Sequence, residues 1–448
     1  MSIQTETVSA EERTGIGAWV SRLTGVFSQV PMLGWLTAGV VAAAIEWGFG
    51  AYAAYYLGLP KVPVLFGFVT AISQPVLIPN TVLYMLIIYI LPVAIVSLLS
   101  ARFMNWAAGR LLGTSMILAV LVHLVLLYAA LSLWAGISDY RVMILRLTMI
   151  SVLVTLSLNV VNGYMGEFSC SHPGFMALGA YTASVITVLF FVNDRVFGKA
   201  LLPPALGPFL FPLALIAGGL VASLGALLVA VPSFRTRGDY LAIISLAFTF
   251  IVKSLFENLE FVGGARGFGN QPQWAGLLTV FIWMVLGVWI INNFVRSTLG
   301  KALNAVRDGE GAAEAMSVNT ERTKMIAFLF SAFWAGVAGG LLAHVLGYIN
   351  PGGFGIQKLA EVLAMVYFGG LNSVTGSIVG AVGFNMISEM LRPLEILKWI
   401  IIPVLLILIM IFRPTGLIAF TEFDFAKIIA PKTKAKAAEE VGYAPAVD

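Results

Sequence analysis

Long apolar runs alternate along this chain with short polar clusters, and most runs are near the roughly 20 residues that a helix needs to cross a bilayer core. They fall at about 34–58, 78–100, 112–137, 143–165, 173–192, 207–231, 240–260, 275–295, 325–348, 358–371, 374–391 and 396–412. The continuity of these runs predicts helices, because a β-barrel would show alternating segments of about ten residues. The expected architecture is an all-α polytopic membrane protein of roughly 10–12 transmembrane or half-membrane helices. The runs at 173–192, 358–371 and 374–391 are short or broken by glycine, so half-helices or re-entrant segments enclosed by protein are expected there.

One interval departs from this pattern. Residues 299–324, LGKALNAVRDGEGAAEAMSVNTERTK, form a polar, helix-favouring stretch between two apolar spans. Ala302, Leu303, Val306, Ala312, Ala313, Ala315 and Met316 make a small-residue and apolar face, while Arg307, Asp308, Glu310 and Glu314 supply polar contacts. A short amphipathic helix of this kind fits a groove on a soluble partner; the competing reading is a solvated loop.

Composition agrees with the spans. The chain is 59% hydrophobic and 11% charged, with a mean hydropathy of +0.94, against roughly 25% charged residues in a soluble domain. Orientation follows Lys and Arg. Arg102 and Arg110, Arg235 and Arg237, the group Arg296, Lys301, Arg307, Arg322 and Lys324, and Arg413 with Lys427, Lys432, Lys434 and Lys436 are all expected on the cytoplasmic side. Asp139, Arg141 and Arg146 dissent. The first residues carry Glu6, Glu11 and Glu12 instead of the basic start of a cleaved signal, which places the amino terminus inside. The polar tail from Pro431 reads as a disordered cytoplasmic end.

A net charge of +4 does not argue for nucleic acid, because the basic residues are spread over loops that the membrane itself explains. Cys170 stands alone, so no internal disulfide forms. No G-x-x-x-x-G-K-[ST] phosphate loop occurs, since Gly198-Lys199 and Gly300-Lys301 are each followed by Ala. His123, His172 and His344 are too far apart in sequence to suggest a local metal cage, and a lone intramembrane His is expected to hydrogen-bond between helices. No cofactor is implied.

Two further stretches interrupt the apolar sequence. In 159–182, Asn162, Glu167, Ser169, Ser171 and His172 are polar, and Gly163, Gly166, Gly174 and Gly179 allow backbones to approach. Polar atoms at membrane depth must face protein or a water-filled path, so this stretch either lines a translocation path or packs helices closely through small residues. In 234–268, Arg235, Arg237 and Asp239 form an inner turn. Lys253 and Glu257 stand at i, i+4, either neutralising charge or lining a polar vestibule, and residues 263–267 read as an outer loop.

Residues 311–317, GAAEAMS, resemble the EAAxxxG coupling motif of ABC importer permeases, with Gly311 at the motif's Glu and Ser317 at its Gly. Further elements follow in order: Asn162-Gly163-Tyr164-x-Gly166-x-x-Ser169-x-x-His172, Gly179-Ala180-Tyr181, Arg237-Gly238-Asp239-Tyr240-Leu241-Ala242, Phe368-Gly369-Gly370-x-x-Ser373-x-x-Gly376 and Arg413-Pro414-x-Gly416-Leu417. Together they cover about residues 145–420 and resemble the branched-chain amino acid ABC permeases of the LivM type. Cys170 and Pro173 depart from the pattern.

The resemblance implies an ABC importer permease core over 111–420, preceded by an amino-terminal extension over 1–110 with about two transmembrane helices and followed by the tail over 421–448. It implies an inner-membrane subunit paired with a homologous LivH-type permease, driven by two cytoplasmic ATP-binding cassette subunits and fed by a periplasmic binding protein, with leucine, isoleucine and valine as substrates. Urea and short-chain amide permeases are the nearest rivals, and Gly179-Ala180-Tyr181-Thr182 looks nearer to the amino acid branch. An ion-coupled secondary transporter would need no cytoplasmic docking helix, and a membrane enzyme would need a catalytic constellation that the chain does not display. Arg307, Asp308, Glu310, Ala312, Ala313, Glu314 and Ser317 are the implied ATPase-coupling residues; Asn162, Gly163, Gly166, Ser169, His172 and Gly179 are the candidate path residues.

Overall fold

A computed structural model of the chain describes residues 27–63, 74–194, 196–235, 240–413, 415–421 and 423–432, together with residues 69 and 72. The acidic amino-terminal residues, Arg237 and Asp239 of the inner turn, and the tail beyond 432 lie outside the described residues. Among those described, nine helices are long and apolar enough to cross a membrane. The chain divides into two compact units, residues 1–137 with 424–448, and residues 138–423.

The smaller unit contains α1 (Met32–Tyr56), α2 (Pro75–Thr114) and α3 (Met116–Ala135). Helix α1 packs against both others. Its Glu46 is buried and accepts hydrogen bonds from the hydroxyls of Tyr84, at 3.1 Å, and Tyr89. The Tyr89 hydroxyl in turn accepts one from Trp134 Nε1 at 3.2 Å. A carboxylate inside an apolar bundle needs such donors, and here both come from α2, with Trp134 of α3 holding the Tyr89 hydroxyl in turn. The unit reaches residue 137, one helix beyond the boundary expected near 110, because α3 packs on α1. Helix α2 also runs past its expected end at 100, through Arg102 and Arg110, to Thr114. The tail contributes a short helix, Phe425–Ile429, to this unit, and Lys432 N donates to Asn105 Oδ1 at 2.7 Å.

The larger unit holds α4 (Asp139–Met165), α5 (His172–Phe191), α6 (Pro204–Phe234), α7 (Tyr240–Asn258) and α8 (Leu277–Arg296). After them come the short α9 (Thr298–Asp308) and α10 (Glu310–Ala315), then the long α11 (Thr320–Leu346). Three shorter helices follow, α12 (Ile356–Gly369), α13 (Val374–Met390) and α14 (Lys398–Phe412). Nine long helices and these three short ones fit the expected all-α polytopic architecture. The 173–192 run is a full 20-residue helix and not a half-helix; Pro173 sits in its first turn, where a missing N–H costs nothing. Arg141 and Arg146 belong to the first turns of α4. Arg141 is buried, and the half-buried Arg146 donates to the Ala275 carbonyl at 3.4 Å.

Helices α4, α5, α6 and α11 make the centre of this unit. Small residues set their spacing. A Cβ on Gly179 would fall 2.0 Å from the Gly336 carbonyl oxygen, and one on Gly218 would fall 2.7 Å from that of Gly179. Such contacts replace the hydrophobic drive that lipid cannot provide with close van der Waals packing. Residues 268–269 and 348–349 pair as a two-residue antiparallel ladder that ties two loops together.

Candidate functional site

The segment between α8 and α11 forms two helices instead of the one expected. Ser297 caps α9, its hydroxyl accepting from Gly300 N, and Gly309, in extended backbone, separates α9 from α10. The anticipated apolar face therefore splits. Leu303, Val306 and Ala313 turn into the chain's own core, whereas Ala312, Ala315 and Met316 are exposed, Met316 by 80%. Ser317 has a left-handed backbone, φ 65°, which explains why glycine stands there in the motif that this stretch resembles.

Two cations tie this segment to the end of α4. The Arg307 guanidinium donates to the Gly163 carbonyl at 3.4 Å. It also pairs with Asp308 Oδ1 at 2.8 Å and lies over the Phe420 ring at 5.5 Å. Gly166, in left-handed backbone, leaves room for it: a Cβ there would lie 2.4 Å from Arg307 Cγ. Lys324 Nζ bridges Glu167 Oε1 at 2.7 Å and Glu310 Oε1 at 2.9 Å, its side chain only 10% exposed. Glu314 Oε1 accepts from the Thr320 hydroxyl at 3.0 Å.

Beyond these contacts the 159–182 stretch turns inward. Residues 160–165 widen into a π-helical turn, which shifts the register of α4 before residues 166–171 cross to α5. Asn162 Oδ1 accepts from Ser169 N at 3.2 Å, and the hydroxyls of Ser169 and Ser171 are 2.9 Å apart. Cys170 is clamped by α7, its N–H donating to Ser245 Oγ at 2.9 Å and its carbonyl accepting from Thr249 at 2.8 Å. Burial pushes the Cys170 thiol up from its ordinary pKa. His172 Nε2 lies 2.9 Å from Ser331 Oγ, which donates to the Ser157 carbonyl at 2.6 Å. His344 similarly meets Thr187 at 2.9 Å. Both histidines bridge helices, and His123 hydrogen-bonds within its own helix, at the Ala119 carbonyl. Among the described residues no group of His, Cys, Asp or Glu is placed to hold a metal.

Thus Gly163, Gly166, Arg307 and Glu310 come together, with Asp308 beside them. Asn162, Ser169 and His172 form a second, buried polar layer, and Gly179 lies apart at the α5–α11 crossing. The sequence reading gave no role to the residue that gathers the motifs. Asn159 Nδ2 donates to Ser377 Oγ at 2.6 Å and to the Ser373 carbonyl at 3.0 Å, and its Oδ1 accepts from Asn372 N at 3.2 Å. Leu417 and Ile418 then hydrogen-bond through their N–H groups to Phe368 and Gly369. Motifs lying far apart in sequence therefore meet at the π-turn end of α4. Lys358 and Glu361 were also passed over; their signal is a charged i, i+3 pair within an apolar run, joined at 3.0 Å.

A family profile described as branched-chain amino acid transport system / permease component matches residues 140–412. The high-affinity branched-chain amino acid transport system permease protein LivM of Escherichia coli K12 is 31% identical over 320 residues, covering 64% of this chain and 71% of the relative. LivM of Salmonella typhimurium LT2 matches to the same extent. The LivH permease protein of Salmonella typhimurium LT2 is 24% identical over 288 residues, covering 61% of this chain and 92% of the relative. No solved structure matches the chain.

Proposed function

The chain belongs to the branched-chain amino acid transport permease family, and from that premise we propose that it carries leucine, isoleucine and valine inward across a bacterial inner membrane, as one permease subunit of an ATP-driven importer. A homologous LivH-type permease completes the membrane part, two ATP-binding cassette subunits dock on its cytoplasmic side, and a periplasmic protein delivers substrate. Both termini face the cytoplasm. Residues 138–423 are the transport core, and the preceding helices are an accessory unit.

The observation that carries this reading is the pair of cationic ties from the docking segment to the polar end of α4, Arg307 to Gly163 and Lys324 to both Glu167 and Glu310. The chain has no phosphate loop of its own, so in an ATP-driven importer the work reaches it through contacts with the ATPase. Helices α9 and α10 present Ala312, Ala315 and Met316 to the ATPase, which closes on binding ATP. Glu310 moves with α10 and pulls on Lys324 at the base of α11, while Arg307 acts on the π-turn at Gly163. Two alternative arrangements of α4 and α11 then open the path to either side, and differential contacts made by the ATPase decide between them. The hydroxyls and carbonyls around Asn162, Ser169 and His172 sit where this movement would open or close a polar route. Arg307, Asp308, Glu310 and Glu314 act in coupling, with Ser317 setting the turn that follows α10.

The test is uptake of labelled leucine by cells lacking the gene. Uptake through the binding-protein-dependent route should disappear and return with the wild-type gene. Undiminished leucine, isoleucine and valine uptake in the deletion strain, with loss of urea uptake instead, would overturn the reading.

A further inference from the structure

A cavity of about 160 Å³ lies within the transport core, walled by α4, α5, α11, α12 and α13. Its polar lining consists of Ser151, Lys358, Glu361 and Asn385; Val154 and Met365 belong to its apolar wall. Leu342 also borders it, about 27 Å along the α11 axis from Lys324, so it sits near the end of that helix opposite the docking segment. Lys358 and Glu361 pair at 3.0 Å with side chains 24% and 33% exposed. A second cavity of about 230 Å³ touches Glu361 from another side, with Phe384 and Ile402 in its wall.

We propose that this cavity binds the zwitterionic head and apolar side chain of the transported amino acid, with Lys358 holding its carboxylate and Glu361 its ammonium. The proposal rests on the reading of the chain as an amino acid permease. Ionisable groups inside a membrane-spanning unit are costly and need a partner. Here each is the other's partner. A zwitterion inserted between them replaces one ion pair by two and adds no net charge, so the site favours a neutral amphiphile over a net cation or anion. The Ser151 hydroxyl and the Asn385 amide supply further hydrogen bonds to the head, as sites for small ligands combine a few placed polar groups with an apolar wall. Val154 and Met365 receive the aliphatic side chain. Urea has neither charge to exchange with the pair nor an apolar part for this wall.

The alternative role for the pair is mutual neutralisation, and one variant separates the two. In Lys358→Gln/Glu361→Gln the charges are removed together, which a purely structural pair would tolerate. Leucine uptake is measured in cells carrying the variant in place of the native gene, with membrane abundance followed by immunoblot. We expect normal abundance and a loss of uptake of about tenfold or more, the effect of removing charge-assisted contacts. Met365→Ala enlarges the apolar wall and should raise the phenylalanine-to-leucine uptake ratio by about tenfold, a readout that a fold defect would not produce. Normal leucine uptake in the double variant, or an unchanged ratio in Met365→Ala, overturns the site while leaving the permease reading intact. Wild-type cells that take up urea and no amino acid through this chain would bring down both.

Discussion

The ammonium of Lys324, at the cytoplasmic base of α11 in the proposed orientation, lies 2.7 Å from the Glu167 carboxylate, and these two residues join the first turn of one central helix to the loop between two others. Glu310 of α10 shares the same ammonium at 2.9 Å. With side chains 10% and 24% exposed, Lys324 and Glu167 pair where solvent screens them little, whereas Glu310, 45% exposed, is the more screened partner.

Replacing Lys324 by Met should therefore weaken the fold. Stability should fall by about 1–3 kcal/mol, the range for losing charged hydrogen bonds and leaving a carboxylate under-solvated. Adding Glu167→Gln to that variant should cost little more, because its partner is already gone. Thermal unfolding of the purified proteins in detergent gives the cycle. Additive losses would show that the pair does not act as a unit.

The docking face should be readable from burial. Ala312 is exposed whereas Ala313 is only 4% exposed within the chain's own core. Ala312→Trp should insert and fold normally yet lose co-purification with the ATPase subunits, since the large ring overfills the partner's groove. Ala313→Trp should instead lower the chain's own abundance. If Ala312→Trp co-purifies with the ATPases at wild-type stoichiometry and supports full uptake, the docking surface lies elsewhere.

Close helix packing makes a third expectation. A Cβ on Gly179 would meet the Gly336 carbonyl oxygen at 2.0 Å, so Gly179→Val must push α5 away from α11 at a cost of roughly 3 kcal/mol. At Gly311 a Cβ meets nothing within 4 Å, and Gly311→Ala should stabilise α10 by about 0.5–1 kcal/mol. Melting temperatures should move in opposite directions. Equal tolerance at the two positions would contradict the packing described.

Much of the fold could be read from the sequence because the bilayer imposes a minimum apolar length of about 20 residues on a spanning helix, and the spans from Met32 to Leu346, 19 to 40 residues long, meet it. The Lys253 to Glu257 pair at 3.6 Å was readable from its i, i+4 spacing. The 299–324 segment was recognisable as polar and helical, but Gly309 cuts it, and the inward turn of Ala313 depends on packing that no local pattern states. The role of Asn159 could not be read at all. It closes contacts with Ser373 and Ser377, more than two hundred residues away, and its neighbours Leu158 and Val160 are as apolar as any core residue. Lys358 and Glu361 lay within a run judged by its shortness and glycines, where a charged pair on one helix face draws little notice beside the apolar residues around it.

The central claim is that this chain moves amino acid with work received from a separate ATPase. The most direct measurement is uptake of labelled leucine into proteoliposomes containing either the chain alone or the assembled importer with its binding protein. The account predicts no uptake by the chain alone under an imposed proton or sodium gradient, and uptake by the assembly that requires both ATP and the binding protein. Gradient-driven accumulation of leucine by the chain alone, without ATPase or binding protein, would contradict it.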